Sequence, residues 1–294
     1  MSKIRFVLRG AWQDCILKLR SFRYISAFVM VLGLAAAVTS GIDRLVDRVG
    51  EGVTIWMVPH IYSNVFFATF YGLVICYLFS DVPFFNQKEL FSVVRQGRPC
   101  WYLRKIVSMI LSTFIFTMIS FAICILVFVP HISFQKDWGK MIYTMAYSGN
   151  LYAYNIMTQP SPVIISKYTP LEAMLLCFLM VWLISIMIGL LMFTISILVN
   201  RVAALSIMAG IALVSLSDGV FFTVKWLPYI TIFSWYRLST YGEQLFLDWN
   251  YPELSEYQWI IACILVISFI VSMIRICYIC LLYTSPSPRD RTRS

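Results

Sequence analysis

The sequence predicts an all-α membrane protein with six transmembrane helices and an N-terminal amphipathic interfacial helix. Three observations carry this. Of 294 residues, 60% are apolar and 13% charged, against roughly 45–50% and 25% in soluble domains. Six stretches approach or exceed the ~20 mostly apolar residues that a membrane crossing needs. The basic residues gather on alternate connecting segments, as the positive-inside rule expects of cytoplasmic loops.

The chain opens on residues 1–23, where Ile4, Leu8, Trp12, Ile16 and Leu19 recur at helical spacing beside Arg5, Arg9, Gln13 and Arg20. That pattern predicts a helix lying in the membrane interface, with Trp12 seated among headgroups and Arg9 and Arg20 facing anionic lipid. The first span follows at 24–41. A signal peptide is the other reading, because Ala35-Ala36-Ala37 resembles a cleavage site. A basic leader of 23 residues with its own amphipathic pattern favours a retained helix instead.

The remaining spans of the transmembrane domain (24–279) are predicted at 61–79, 106–130, 171–200, 202–222 and 259–279. Thr169-Pro170-Leu171-Glu172 reads as a capping box with proline at the first helical position, and Ser255-x-x-Gln258 as a second box. Only Asn200 and Arg201 separate the fourth and fifth spans, which predicts a tight helical hairpin.

With the N-terminus in the cytoplasm, segments 1–23, 80–105 and 200–201 hold twelve basic residues against three acids, Asp14, Asp81 and Glu89. The longer outer segments 42–60, 131–170 and 223–258 hold seven basic residues. This contrast predicts a multi-pass protein of the cell membrane with its N-terminus inside. The formal charge of +9 is thereby assigned to the lipid bilayer and not to nucleic acid. The outer loops are aromatic, with Tyr143, Tyr147, Tyr152, Tyr154 and Tyr168 in one and Trp226, Tyr229, Trp235, Tyr236 and Tyr241 in the other. They are expected to fold back against the outer leaflet, either as interfacial anchors or in substrate exit.

No chemistry-bearing motif is present. GxxxxGK[ST], HExxH and GxSxG are all missing. The eight cysteines form no cluster with histidine, so neither a zinc site nor a disulfide framework is expected. His60 and His131 each follow a proline in an outer loop. Asp218, near the outer end of the fifth span, and Arg275, near the inner end of the sixth, are expected to snorkel to the interface. No cofactor, no metal and no catalytic residue is predicted.

From Cys280 the chain reads CLLYTSPSPRD and then RTRS. The first eleven of these residues are one reading frame of a transposase sequencing adapter, so 280–294 is expected to be a translated artefact.

The cytoplasmic stretch 80–105 suggests a function. Glu89 precedes an apolar run from Leu90 to Val94 that includes Phe91, Arg95 follows, Gly97-Arg98-Pro99 breaks the helix, and Lys105 leads into the third span. A short apolar helix ending in a break suits docking into a groove on a soluble partner. Here the chain resembles the permease subunits of type-2 ATP-binding-cassette exporters. Their layout is an amphipathic N-terminal helix, six spans, and a coupling helix after the second. The match falls on Glu89, Leu90 to Val94, Gly97-Arg98-Pro99 and Lys105. Trp226-Leu-Pro-Tyr-Ile-Thr-Ile-Phe-Ser-Trp235 resembles the family's Pro/Trp segment between spans five and six, without the second proline common there. Asp81-Val-Pro-Phe-Phe and His131 to Gly139 are similar to a Gram-positive subgroup.

The resemblance implies a homodimer or heterodimer of permeases. A separate ATP-binding subunit would sit on Glu89, Leu90, Phe91, Val94, Arg95, Gly97, Arg98 and Lys105, and ATP hydrolysed there would move a substrate. The alternatives are a non-transporting polytopic protein (sensor, immunity or assembly factor) and an ion-coupled secondary transporter. The latter should show inverted repeats and broken helices carrying ionisable groups, which the sequence does not display.

Overall fold

A computed structural model describes residues 3–82, 93, 96–148, 156–216, 226–241, 244–246 and 249–278. Helix α1 (Lys3–Leu19) meets α2 (Phe22–Val38) at a bend of 59°. A short α3 (Ile42–Val49) follows, then strand β1 (Val53–Thr54) and α4 (Val58–Ser63). The next long elements are α5 (Val65–Leu78) and α6 (Arg98–Leu126). Strand β2 (Ile132–Ser133), α7 (Gly139–Tyr147) and α8 (Pro162–Lys167) precede the hairpin of α9 (Pro170–Leu198) and α10 (Arg201–Leu216). A one-turn α11 (Leu227–Ile230), two 3-10 turns and strands β3 (Gln244–Phe246) and β4 (Trp249–Asn250) lead to α12 (Leu254–Tyr278).

Among the described residues, three helices, α6, α9 and α12, are long and apolar enough to cross a membrane, and the number rises to five if the bent pairs α1–α2 and α4–α5 each count as one crossing. α10 is apolar but has only 16 residues, about 24 Å of rise. The long helices alternate in direction. Arg23 at the start of α2 reaches Asp81 just past α5, and Arg98 at the start of α6 donates to the Cys277 carbonyl at the end of α12. These ends carry Asp14, Lys105 and Arg201 and form the basic end of the bundle. The opposite, loop end is stitched by backbone contacts between distant segments.

At that loop end, β1 pairs in parallel with β2, Val53 opposite Ile132 and Thr54 opposite Ser133. Thr54 Oγ1 donates to the Trp138 carbonyl (2.8 Å), and Asn64 Nδ2 to the Met157 carbonyl (3.0 Å). Thr158 Oγ1 closes the end of α2 through the Val38 carbonyl (2.8 Å). His60 is buried with its ring against Trp138, and its Nδ1 accepts the Ser161 N–H (3.2 Å). An imidazole nitrogen that accepts carries no proton, so His60 holds the loop in place. His131 lies exposed beside Asp43.

Several expected boundaries move. The second span, expected at 61–79, is split: α4 runs at 85° to α5, because the Asn64 side chain caps α5 by accepting the Phe66 and Phe67 N–H groups (3.0 and 3.2 Å). The third span starts eight residues before 106 and ends at Leu126, since Arg98 to Lys105 continue the same helix. The Thr169–Glu172 capping box is formed, and Asn200 Oδ1 accepts the Ala203 N–H (2.7 Å) at the hairpin. The Ser255–Gln258 box is not the start of the last helix: Leu254 opens it, and the Glu256 carboxylate reaches back to the Glu253 N–H (3.2 Å).

The aromatic loop differs most from expectation. Trp226 and Tyr229 are exposed, but Trp235, Tyr236 and Tyr241 are buried inside the protein. The 3-10 turn Ile232–Tyr236 packs among α5, α9 and α10. Phe233 lies flat against Gly72, seven residues into α5, hence about 10 Å down that helix. Any Cβ at position 72 would overlap the Phe233 ring. Trp235 Nε1 donates to the Pro228 carbonyl (2.7 Å) and the Tyr241 hydroxyl to the Trp235 carbonyl, closing the turn on itself. Non-helical backbone at this depth is tolerated only where protein surrounds it, and here it does.

Candidate functional site

Where α1 crosses α6, Asp14 sits opposite Arg104 and Lys105. Arg104 Nε donates to Asp14 Oδ2 at 2.9 Å and Lys105 Nζ to the same oxygen at 3.0 Å, while Arg104 Nη2 binds Oδ1. Lys105 is 3% exposed and Asp14 7%. Burial pushes the Asp14 carboxyl up, but hydrogen bonds and charge from the two cations outweigh it and hold the group below the ordinary carboxylate range. A carboxylate accepting bonds from two cations can offset its own desolvation only in such geometry, so α1 is fixed to the start of α6.

A cavity of about 550 Å³ opens beside this junction, lined by Lys18, Arg23, Lys105 and Arg201 with Asp14 and Asp81. Arg23 Nη1 pairs with Asp81 at 3.0 Å. The stem of Lys18 is partly exposed but its Nζ is covered. Burial first, and then the neighbouring Lys105 charge, lower its pKa to about 8 against the opposing pull of Asp14 and Asp81.

The predicted docking segment meets this site only in part. Glu89, Leu90, Phe91, Val94 and Arg95 lie outside the described residues, as does Asp218. Gly97 does break the chain: its φ is +81°, its N–H donates to the Val93 carbonyl (2.9 Å), and α6 begins at the next residue with Pro99 in its first turn. Arg98 donates across to α12. Lys105, expected among the docking residues, is turned inward onto Asp14. Arg9, Trp12 and Arg20 are exposed on α1, while Ala11, Asp14 and Cys15 form its buried side.

Sequence reasoning did not single out Asp14, Lys18, Arg23, Asp81, Arg104 or Arg201 as a group. One signal was available: Asp14 is the sole acid in a segment of 23 residues that is otherwise basic. The last described charged residue of α12, Arg275, is half-buried near the same end.

Along α6, Ser108, Ser112, Thr113, Thr117 and Ser120 are all buried, spread over about half of the helix circumference. Tyr24 and Tyr71 lie beside it, each against Phe116 (6.0 and 6.1 Å between ring centres). Tyr236 from the inserted turn stands edge-on to Tyr71 at 5.6 Å. The bundle interior is thus lined by hydroxyl groups without charge, and among the described residues the buried ionic side chains are Asp14 and Lys105, both at the basic end.

Fold and site together define a helical membrane protein with a charged junction at one end and an aromatic plug at the other. No protein-family model, no curated protein and no solved structure matches this chain.

Proposed function

We propose that the chain is the membrane-spanning permease subunit of an ATP-driven exporter, with α2, α5, α6, α9, α10 and α12 as its six spans and α1 lying in the inner interface. The basic end then faces the cytoplasm of the cell membrane. The observation that carries this reading is the junction of Asp14 with Arg104 and Lys105. It ties the interfacial helix to the helix that starts directly after the predicted docking loop. A push on that loop by a soluble partner would therefore move α1 and α6 together. The hydroxyl-lined interior supplies hydrogen-bonding groups without a fixed charge; among the described residues the one buried carboxylate, Asp14, stands at the basic end and is held there by Arg104 and Lys105. The chain itself would do no chemistry. A separate ATP-binding subunit would supply the energy, and the permease would pair as a homodimer or heterodimer.

The test begins at the genomic locus, where an ATP-binding subunit should be encoded nearby, and proceeds by co-expression with it. Phe91→Asp and Val94→Asp each place a carboxylate in the proposed contact, where desolvating an unpaired charge costs several kcal/mol. Both should lose ATPase co-purification, while cysteines placed at Ser92 and Ser148 still label from opposite sides of sealed vesicles. Undiminished ATPase binding by both mutants refutes the coupling assignment.

A further inference from the structure

Three features of the α2–α5 seam stand in register. At the basic end Arg23 pairs with Asp81 on the wall of the 550 Å³ cavity. One turn further, Ser26 Oγ and the Tyr77 hydroxyl share a hydrogen bond of 3.1 Å. Beyond them an apolar groove of about 280 Å³ runs between Met30 and Leu34 of α2 and Phe70, Leu73, Val74 and Tyr77 of α5.

The helical repeat places these on one line. Met30 is seven residues from Arg23 and Leu34 eleven, so at about 100° per residue both lie within about 20° of the Arg23 face. On α5, Phe70, Leu73, Val74 and Tyr77 are related by three and four residues and share a face in the same way. Arg23 to Leu34 spans about 16 Å of helix rise, close to half of the ~30 Å hydrocarbon core. The seam from Arg23 to Leu34 thus matches the depth of about one leaflet.

The mouth is cationic. Four basic side chains line the cavity against two carboxylates, and Phe22 and Leu17 on its rim are 80% and 69% exposed. A site with cations at the interface, a hydrogen-bonding pair just inside and an apolar channel above has the layout of one phospholipid molecule. Basic pockets between membrane helices on the cytoplasmic side are suited to anionic headgroups.

We infer that the α2–α5 seam binds a single anionic glycerophospholipid of the adjoining leaflet. Its phosphodiester lies between Arg23 and Arg201, with the covered Lys18 ammonium behind them, and one acyl chain lies in the groove from Tyr77 to Leu34. The lipid fills the angle between α1 and α2 and so belongs to the same junction that fixes α1 on α6. This inference rests on the membrane placement of the helices and not on transport, so it stands or falls separately from the exporter reading.

The experiment is native mass spectrometry of the full chain, released from detergent after equilibration with phosphatidylglycerol and phosphatidylcholine of equal chain length. One anionic lipid per chain should be retained in preference to the zwitterionic one. Lys18→Gln and Arg23→Gln should each cut that preference about fivefold, the effect one basic residue has near an anionic surface. Leu73→Trp, which fills the groove without touching a charge, should reduce retention of both lipids and leave their ratio unchanged. It also keeps the test decisive if the charge variants do not fold. Glycerol 3-phosphate at millimolar concentration should not displace the bound lipid. Equal retention of the two lipids, or an unchanged preference in folded charge variants, overturns the headgroup assignment. Displacement by glycerol 3-phosphate, or full lipid retention by Leu73→Trp, overturns the acyl groove and leaves a free-phosphate pocket.

Discussion

The two ends of the bundle are held by different physics. At the basic end, α1, α2, α5 and α6 are joined by ion pairs, Asp14 with Arg104 and Lys105 and Arg23 with Asp81. At the loop end, the inserted turn Ile232–Tyr236 is held by ring packing, with Phe233 on Gly72, Tyr236 on Tyr71 and Trp235 on Tyr257. Charge pairs depend on pH and on the presence of both partners, whereas ring packing depends on shape. The basic end is thus chemically adjustable, while the loop end is a mould.

The largest expected effect is at the ionic end. Asp14→Ala removes the carboxylate that the buried Lys105 ammonium faces and should cost about 3–5 kcal/mol, read as a lowered thermal midpoint in detergent. Replacing all three members, Asp14→Leu with Arg104→Met and Lys105→Met, should recover most of that loss, because apolar side chains of similar size need no desolvation. A triple variant no more stable than Asp14→Ala would show that the junction is not held by charge alone.

Shape is tested at the other end. Gly72→Ala drives a Cβ into the Phe233 ring and should cost about 1–3 kcal/mol, the usual size of core overpacking. Combining it with Phe233→Leu should give back part of the loss. Additive losses instead would mean that the turn is not seated where Gly72 meets it.

Gly97→Ala comes next, at about 1–3 kcal/mol, because φ of +81° with ψ of 149° is a region that only glycine occupies readily. Nothing lies within 4 Å of the added methyl, so the loss is purely one of backbone conformation. It should appear in the thermal midpoint without altering the Asp14 junction.

A last effect is a pH dependence confined to the basic end. Lys18 has its pKa lowered from 10.5 to about 8. Between those values the unfolded chain holds a proton that the folded chain has released. Stability therefore rises as pH increases from about 8 toward 10.5, and Lys18→Met should flatten that rise. A slope that survives the substitution would assign it to another group.

Much of the loop chemistry was legible in the sequence. The Thr169–Glu172 box and the Asn200 turn are local signals, settled by residues three apart, and both formed. The helical class followed from composition. The start of α6 was misplaced because hydropathy reports where lipid begins, whereas a helix ends where its backbone hydrogen bonds do. Arg98 to Lys105 satisfy those bonds while standing outside the apolar stretch. The Asp14–Lys105 pair joins residues 91 apart, a separation no periodicity encodes. Trp235 and Tyr236 were read as interfacial from their type alone. Their burial follows from the seating of the whole turn, whose Phe233 fills a hole left by Gly72 on a helix far away in sequence.

The 29 residues of α6 make a rod of about 44 Å, clamped near its first turns by Asp14 and carrying a glycine joint at its foot. Such a rod acts as a lever with a short arm and a long one. A tilt of about 5° about the clamp carries Leu126, about 32 Å beyond it, some 3 Å sideways, and Phe121 about 2 Å. The clamp near the foot of α6 thus converts a small angle at the basic end into a displacement of atomic size at the aromatic plug.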